Sequence, residues 1–205
     1  MSTSASSEPL ARAGLGRARA ALLIAALLGL QPVTTDLYVP ALPLLTRELG
    51  ASMAAAQQTM GALLLAFGFG QLLWGPVADR VGRRPVLLAG LALYALASLA
   101  GAVAADVHAL VLCRVAQGLG LASAVVCARA VLRDLFHPAE GTRIMAWALT
   151  GLGGLALASP LAGGLLAAHV GWRSTLAVVA ACGALVLALV SWQLPETLPA
   201  RRLDA

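Results

Sequence analysis

The chain has 205 residues, of which 60% are hydrophobic and only 11% charged. Soluble domains carry roughly 25% charged residues, so this composition excludes an ordinary soluble protein and indicates one embedded in lipid. All fourteen basic residues are arginines and the net charge is +5, but the arginines are dispersed between apolar runs. Nucleic-acid binding is therefore not expected, because it needs basic residues gathered on one face.

The first predicted element is a disordered tail over residues 1–17, which is too rich in small and polar residues to fold. Arginines then precede the apolar run 20–30, a pattern that also fits a cleaved secretory signal. No small-x-small cleavage site follows, and apolar residues resume through 33–45. We therefore predict a first membrane-spanning helix at this position.

Further apolar runs follow, and each is close to the roughly 20 residues that span a bilayer. They cover residues 53–74, 86–105, 109–132, 144–168 and 176–194. The sequence thus predicts an all-α membrane protein with a six-helix transmembrane bundle over 18–195. Its triplets are 18–105 and 106–195, and a cytoplasmic tail or the start of a central linker follows over 196–205.

The arginines also predict the topology. With a cytoplasmic N-terminus, inside segments carry eleven arginines, whereas outside segments carry only Arg47 and Arg173. This asymmetry follows the positive-inside rule. Both termini are expected in the cytoplasm, and the chain is expected in the cytoplasmic (inner) membrane.

A short repeat links the two triplets. Residues 36–41 and 134–139 share the string Asp-Leu-aromatic-x-Pro-Ala at an offset of 98 residues, and Trp74 and Trp172 share that offset. One string closes a helix on the outer side and the other on the inner side. The pattern predicts two inverted three-helix repeats, and chance similarity between short strings is the alternative.

Residues 75–85 form a charged segment, the arginine hairpin, between the second and third spans. Its arginines must stay in water, because each costs roughly 2.5–3.5 kcal/mol at the bilayer centre. Asp79 is expected to cap the following helix and to pair with Arg129 or Arg133 at the inner end of the fourth span. The residues expected to form this gating loop are Gly75, Asp79, Arg80, Gly82, Arg83 and Arg84.

Two charges are predicted inside the membrane. Asp36 lies near the outer end of the first span, and Arg114 lies near the outer start of the fourth. Ionisable groups at such depth are costly and usually face a cavity or a partner, so the two are expected to form a pair that responds to protons. The alternatives are an interfacial carboxylate that only marks a helix end and an arginine with a structural role.

Several motifs resemble the major facilitator superfamily. The pattern Gly-x-x-x-Asp-Arg-x-Gly-Arg-Arg of residues 75–84 resembles its signature loop, and Asp36 matches the acidic position of its first helix. Arg114-x-x-Gln117-Gly118-x-Gly120 resembles the fourth-helix motif whose arginine is associated with proton coupling. Ser159-Pro160-x-x-Gly163-Gly164 resembles the motif of antiporters, with serine in place of its first glycine.

The resemblance is closest to drug/proton antiporters of the bicyclomycin-resistance type, which usually have twelve helices. It implies the N-terminal half of an efflux transporter that works by alternating access, driven by the proton gradient without a cofactor, metal or enzymatic site. The implied partners are membrane lipid, protons, a small amphipathic substrate and a second six-helix half. That half would be a missing C-terminal half, a separate subunit or a second copy. The alternative is a truncated or accessory membrane protein without transport activity.

Overall fold

The computed structural model describes residues 16–197, which form α-helices joined by short connections. The elements are α1 (Arg17–Asp36), a 3-10 turn (Val39–Ala41), α2 (Leu42–Leu49), α3 (Met53–Val81), α4 (Arg83–Ala102), α5 (Val107–Leu135), α6 (Pro138–Val170) and α7 (Trp172–Gln193).

Six stretches within 16–197 are long and apolar enough to cross a membrane, and the first combines α1, the turn and α2 as Arg17–Leu49. The prediction of an all-α protein with six spans is therefore confirmed. Arg17 already belongs to α1, so the helix begins one residue inside the predicted tail. Residues 1–15 and 198–205 lie outside the described part of the chain.

Local sequence signals set the helix ends. Ser52 Oγ accepts a hydrogen bond from the Ala55 amide at 3.1 Å and caps α3. Asp106 caps α5 in the same way, through two backbone amides. Gly82 and Gly171 have φ values of +111° and +101°, so each makes a one-residue hairpin that other residues rarely permit. These glycines hold equivalent places, after the second helix of each triplet.

The packing pattern supports two related triplets. α3 packs along α5, and its counterpart α6 packs along α1. Likewise α4 contacts α5, α7 contacts α1, and α4 and α7 contact each other. The first three spans contain α1, α3 and α4, and the last three are α5, α6 and α7. Exchanging α1 with α5, α3 with α6 and α4 with α7 leaves the list of contacts unchanged, as inverted repeats require. The tryptophans are not equivalent, because Trp74 lies within α3 whereas Trp172 begins α7.

Burial differs sharply between the helices. α1 and α5 form the centre of the bundle, whereas α3 and α6 have few buried residues and expose large leucines such as Leu65, Leu72, Leu157 and Leu161. α5 approaches its neighbours closely because Gly118 and Gly120 leave room for their backbones. A Cβ at Gly118 would lie 3.0 Å from the Phe67 nitrogen, and one at Gly120 would lie 2.6 Å from the Tyr94 nitrogen.

Candidate functional site

A buried polar network surrounds Arg114 on α5. Its side chain is 1% exposed, and Nη1 donates to Gln117 Oε1 at 2.8 Å. Gln117 Nε2 in turn donates to Ser98 Oγ on α4 at 2.7 Å, and that hydroxyl donates to the Tyr94 carbonyl at 2.6 Å. The amide of Gln117 is thus fixed with its oxygen towards the guanidinium. Within the motif, Gln117 therefore links the Arg114 guanidinium to Ser98 on α4.

Tyr38 covers the other side of the network. The Arg114 guanidinium carbon lies 3.5 Å from the centre of the Tyr38 ring, and the Tyr38 hydroxyl lies 2.9 Å from Thr59 Oγ1 on α3. A desolvated cation over an aromatic face gains about 2 kcal/mol. Arg114 Nε and Nη2 are buried without a hydrogen-bond partner within the described chain. Leaving such donors unpaired costs about 1–3 kcal/mol each, so the guanidinium is available to a further acceptor.

Asp36 does not touch Arg114 in this structure. It is the last residue of α1, is half-buried, and accepts a hydrogen bond from Thr35 Oγ1 at 2.8 Å. Residues 16–197 contain no ion pair between Asp36 and Arg114, and the Arg114 guanidinium contacts the Tyr38 ring instead. Asp36 is nevertheless only two residues from Tyr38 in the chain. Sequence reasoning identified both charges but missed the aromatic ring at the guanidinium.

The antiporter-like motif meets the first span beside Asp36. A Cβ at Gly163 on α6 would overlap the Leu37 carbonyl oxygen, whereas one at Gly164 would lie 3.8 Å from Pro40. Gly163 is therefore the residue of the pair that the close crossing requires. Pro160 lies within α6 and is exposed. The motif thus packs α6 against the turn that follows α1.

The arginine hairpin is more helical than the sequence suggested. α3 continues through Val81, so Asp79 lies in its last turn and Gly82 alone forms the connection. Arg83 is 1% exposed and lies between two carboxylates. Its Nη2 is 2.7 Å from Asp79 Oδ1, and its Nε is 3.3 Å from Asp134 Oδ2 on α5.

This geometry corrects two expectations about Asp79. Its partner is Arg83, four residues further on, and the described chain shows no ion pair from Asp79 to Arg129 or Arg133. It does not cap α4 either, because the first two backbone amides of α4 donate to Glu196. Arg129 and Arg133 are exposed on α5 and line a groove of about 360 Å³ beside α3 that also contains Asp79.

Glu196 provides the cap that was assigned to Asp79. Its Oε1 and Oε2 accept the backbone amides of Arg83 and Arg84 at 2.9 and 3.1 Å. Arg84 Nη2 donates to the Ser191 carbonyl at 3.0 Å, which joins the hairpin to the end of α7. A carboxylate at a helix N-terminus satisfies free amides and complements the helix dipole. The Pro-Glu-Thr segment after the last span was the available signal for this residue.

A second cluster closes the opposite end of the bundle, and no motif in the sequence indicated it. Glu48 Oε2 at the end of α2 accepts from Trp172 Nε1 at 2.8 Å and from Arg173 Nη1 at 2.9 Å. Arg173 also donates to the Ala104 carbonyl at 3.1 Å and lies 4.4 Å from the Trp172 ring centre. Within 16–197 no group of His, Cys, Asp or Glu side chains could hold a metal ion.

Comparison with known proteins gives a consistent result. The family profile described as Major Facilitator Superfamily matches residues 22–205. Multidrug resistance protein D of Escherichia coli is 33% identical over 87% of this chain and 45% of its own length. A bicyclomycin resistance protein homolog of Haemophilus influenzae is 32% identical over 82% of this chain and 42% of its own. A chloramphenicol resistance protein of Pseudomonas aeruginosa is 33% identical over 79% and 39%, respectively.

Solved structures share the fold at low sequence identity. A peptide transporter matches with a TM-score of 0.76 at 17% identity, over 90% of this chain and 40% of its own. A D-xylose-proton symporter matches with a TM-score of 0.70 at 18% identity, over 90% and 50%. The chain therefore spans about half the length of the proteins that it matches.

Proposed function

Since the chain belongs to the major facilitator superfamily, a family of membrane transporters rather than enzymes, we propose that it is the N-terminal half of a proton-coupled efflux transporter. Its substrates would be small amphipathic compounds, and it would work by alternating access in the cytoplasmic membrane with both termini inside. The drug-resistance names of its relatives support the substrate class, and their greater length supports a second six-helix body.

The observation that carries the proposal is the incomplete coordination of Arg114. Its guanidinium is fully buried, yet Nε and Nη2 have no acceptor within the described chain. A carboxylate is the strongest acceptor for such a group, and Asp36 lies only two residues along the chain from Tyr38, whose ring contacts Arg114. A charged Asp36 would pair with Arg114 in one conformation, and a protonated Asp36 would release it in another. Proton binding would thereby bias the exchange between the two conformations.

The exposed faces of α3 and α6 support docking of the second body. Both helices have few buried residues and expose runs of large apolar side chains, so either face is available to pack against another helical bundle within the lipid. The grooves beside α5 at the hairpin end would then face a central cavity. A missing C-terminal half, a separate subunit or a second copy of the chain could each provide this body.

The test uses bacteria whose own drug pumps have been deleted. The chain is expressed alone and together with the C-terminal half of the Escherichia coli relative, and everted vesicles are loaded with a pH-sensitive dye. After respiration has acidified the vesicle lumen, adding an amphipathic compound such as chloramphenicol should release protons when both halves are present, and release by the chain alone would identify a second copy of the chain as the other body. Proton release by neither preparation, with both halves inserted, would contradict the proposal.

Two substitutions locate the coupling. Asp36→Asn should abolish proton release but preserve substrate binding, because asparagine mimics the protonated side chain permanently. Arg114→Lys should also impair coupling, since an ammonium lacks the planar fork that grips a carboxylate with two hydrogen bonds. Arg143→Lys is the matched control, because Arg143 is exposed on α6. Coupled transport at the normal rate in Asp36→Asn would remove Asp36 from the mechanism.

A further inference from the structure

Tyr38 is fully buried, and both its ring and its hydroxyl contact polar groups. Its ring lies 3.5 Å from the guanidinium carbon of Arg114, and its hydroxyl lies 2.9 Å from Thr59 Oγ1. Thr59 Oγ1 donates in turn to the Ala56 carbonyl at 2.6 Å, so the hydroxyl pair is tied to the α3 backbone. The ring therefore has a fixed position relative to α3 as well as to α5.

The contacts on Arg114 leave one particular edge of the guanidinium open. The Tyr38 ring covers a face, and Gln117 Oε1 occupies Nη1. The donors without partners are Nε and Nη2, which lie side by side along one edge of the planar group. Two adjacent parallel N–H groups are the arrangement that a carboxylate binds with both of its oxygens.

We infer that Tyr38 is a positioning residue for proton coupling, which orients the Arg114 guanidinium so that its Nε and Nη2 edge can receive the Asp36 carboxylate. The inference rests on the proposed roles of Asp36 and Arg114. Without the ring, the guanidinium could turn about its side-chain bonds, and the two donors would no longer be presented together. Tyr38 itself exchanges no proton in this scheme.

The short segment that carries Tyr38 also connects Asp36 and Arg114 to the exposed helices α3 and α6. Residues 37 and 38 lie between α1 and the 3-10 turn, outside both. α3 holds this segment through Thr59, and α6 holds it through the contact of Gly163 with the Leu37 carbonyl. A displacement of α3 or α6 against a second body would therefore move Asp36 relative to the oriented guanidinium.

Transport assays on Tyr38 variants test whether the Tyr38 ring orients the Arg114 guanidinium or only fills space. Tyr38→Leu should lower the number of protons exchanged per substrate about tenfold, because it removes the ring from the cation, whereas substrate affinity should change little. Tyr38→Phe keeps the ring but loses the hydroxyl, so it should retain more of the coupling than Tyr38→Leu. Tyr94→Phe is the matched control: Tyr94 is equally buried and its hydroxyl lies 2.6 Å from Thr34 Oγ1, but among the described residues the aromatic ring at the Arg114 guanidinium is that of Tyr38. Equal losses of coupling in the Tyr38→Phe and Tyr38→Leu variants would overturn the inference.

Fluorine NMR tests the orientation without transport. The chain has two tyrosines, Tyr38 and Tyr94, so labelling with fluorotyrosine gives two signals that Tyr94→Phe assigns. Arg114→Lys should shift the Tyr38 signal more than the Tyr94 signal, because the guanidinium lies directly over the Tyr38 ring. No shift at Tyr38 would overturn the inference even if the vesicles transport. The inference would also fail if Arg114→Lys shifts the Tyr38 signal but the Tyr38→Leu variant transports with normal coupling. If the Tyr38 signal shifts but the unsubstituted chain moves no protons, the result contradicts the proposed function and not the orientation by Tyr38.

Discussion

Gly163 on α6 offers a sharp test of the crossing beside Asp36. Gly163→Ala adds a Cβ that would overlap the Leu37 carbonyl oxygen and lie 2.8 Å from the Leu37 carbonyl carbon. Non-bonded carbons prefer about 3.5–4.0 Å, so the two backbones would have to separate by about 1 Å. Both sides of the contact are backbone, and no flexible side chain can move away. Overpacking of this kind costs about 1–3 kcal/mol.

Gly164→Ala is the matched control one residue further on. Its added Cβ would make an ordinary contact of 3.8 Å with Pro40. Since alanine is favoured over glycine in a helix by about 0.5–1 kcal/mol, this variant should be as stable as the parent or slightly more so. A difference of about 2 kcal/mol corresponds to a lowering of Tm by roughly 4–8 °C in a chain of this size.

The measurement is thermal unfolding of the purified chain in one detergent, with the parent and both variants side by side. Gly163→Ala should unfold at a clearly lower temperature than Gly164→Ala. Two alanine variants of equal stability would refute the close crossing of α6 and the turn. The role of the Gly-Gly motif in placing Asp36 and Tyr38 would then have no structural basis.

The arginine hairpin gives three further predictions. Glu196→Gln should remove about 1 kcal/mol of capping free energy and speed hydrogen exchange at the Arg83 and Arg84 amides about fivefold, and unchanged exchange would reject the cap. Asp79→Asn should lower the free energy of unfolding by less than about 1 kcal/mol, because Asp79 is exposed and Arg83 keeps its contact with Asp134. It should nevertheless lower efflux when a second half is present. Normal efflux would show that the arginine hairpin determines the topology only. A cysteine at Val81, in a chain freed of its native cysteines, should resist an impermeant thiol reagent on intact cells, and ready labelling would reverse the topology.

The helices and their number were predictable because the bilayer imposes a simple rule on length and polarity. Runs of about 20 apolar residues interrupted by charge leave little choice of fold class. The helix ends were less predictable. α3 extends through Gly75, Pro76 and Asp79 to Val81, because a single glycine with positive φ suffices to turn the chain. The charged residues that looked like a loop are therefore mostly the last turns of one helix and the first turn of the next.

The contacts within the site depended on distances that the sequence does not contain. Motif spacing identified Asp36, Arg114 and Gln117, but it could not show that Tyr38 covers the guanidinium. Similarly, Asp79 was expected to reach α5, whereas a closer arginine in the same hairpin takes its carboxylate. Glu196 lies 113 residues from the amide that it caps. Only the packing of α7 beside α4 brings these groups together.

Both ends of α7 have consequences for the order in which the bundle can be completed. Trp172, at its start, binds Glu48 across 124 residues of chain, and Glu196, beyond its end, caps α4 across 113 residues. At a synthesis rate of about 5–20 residues per second, Glu48 exists for about 6–25 s before Trp172 is made. Until then α2 and the start of α4 lack these partners. The sixth span therefore connects both ends of the bundle only after it has been synthesised, and a chain arrested before residue 172 has neither contact.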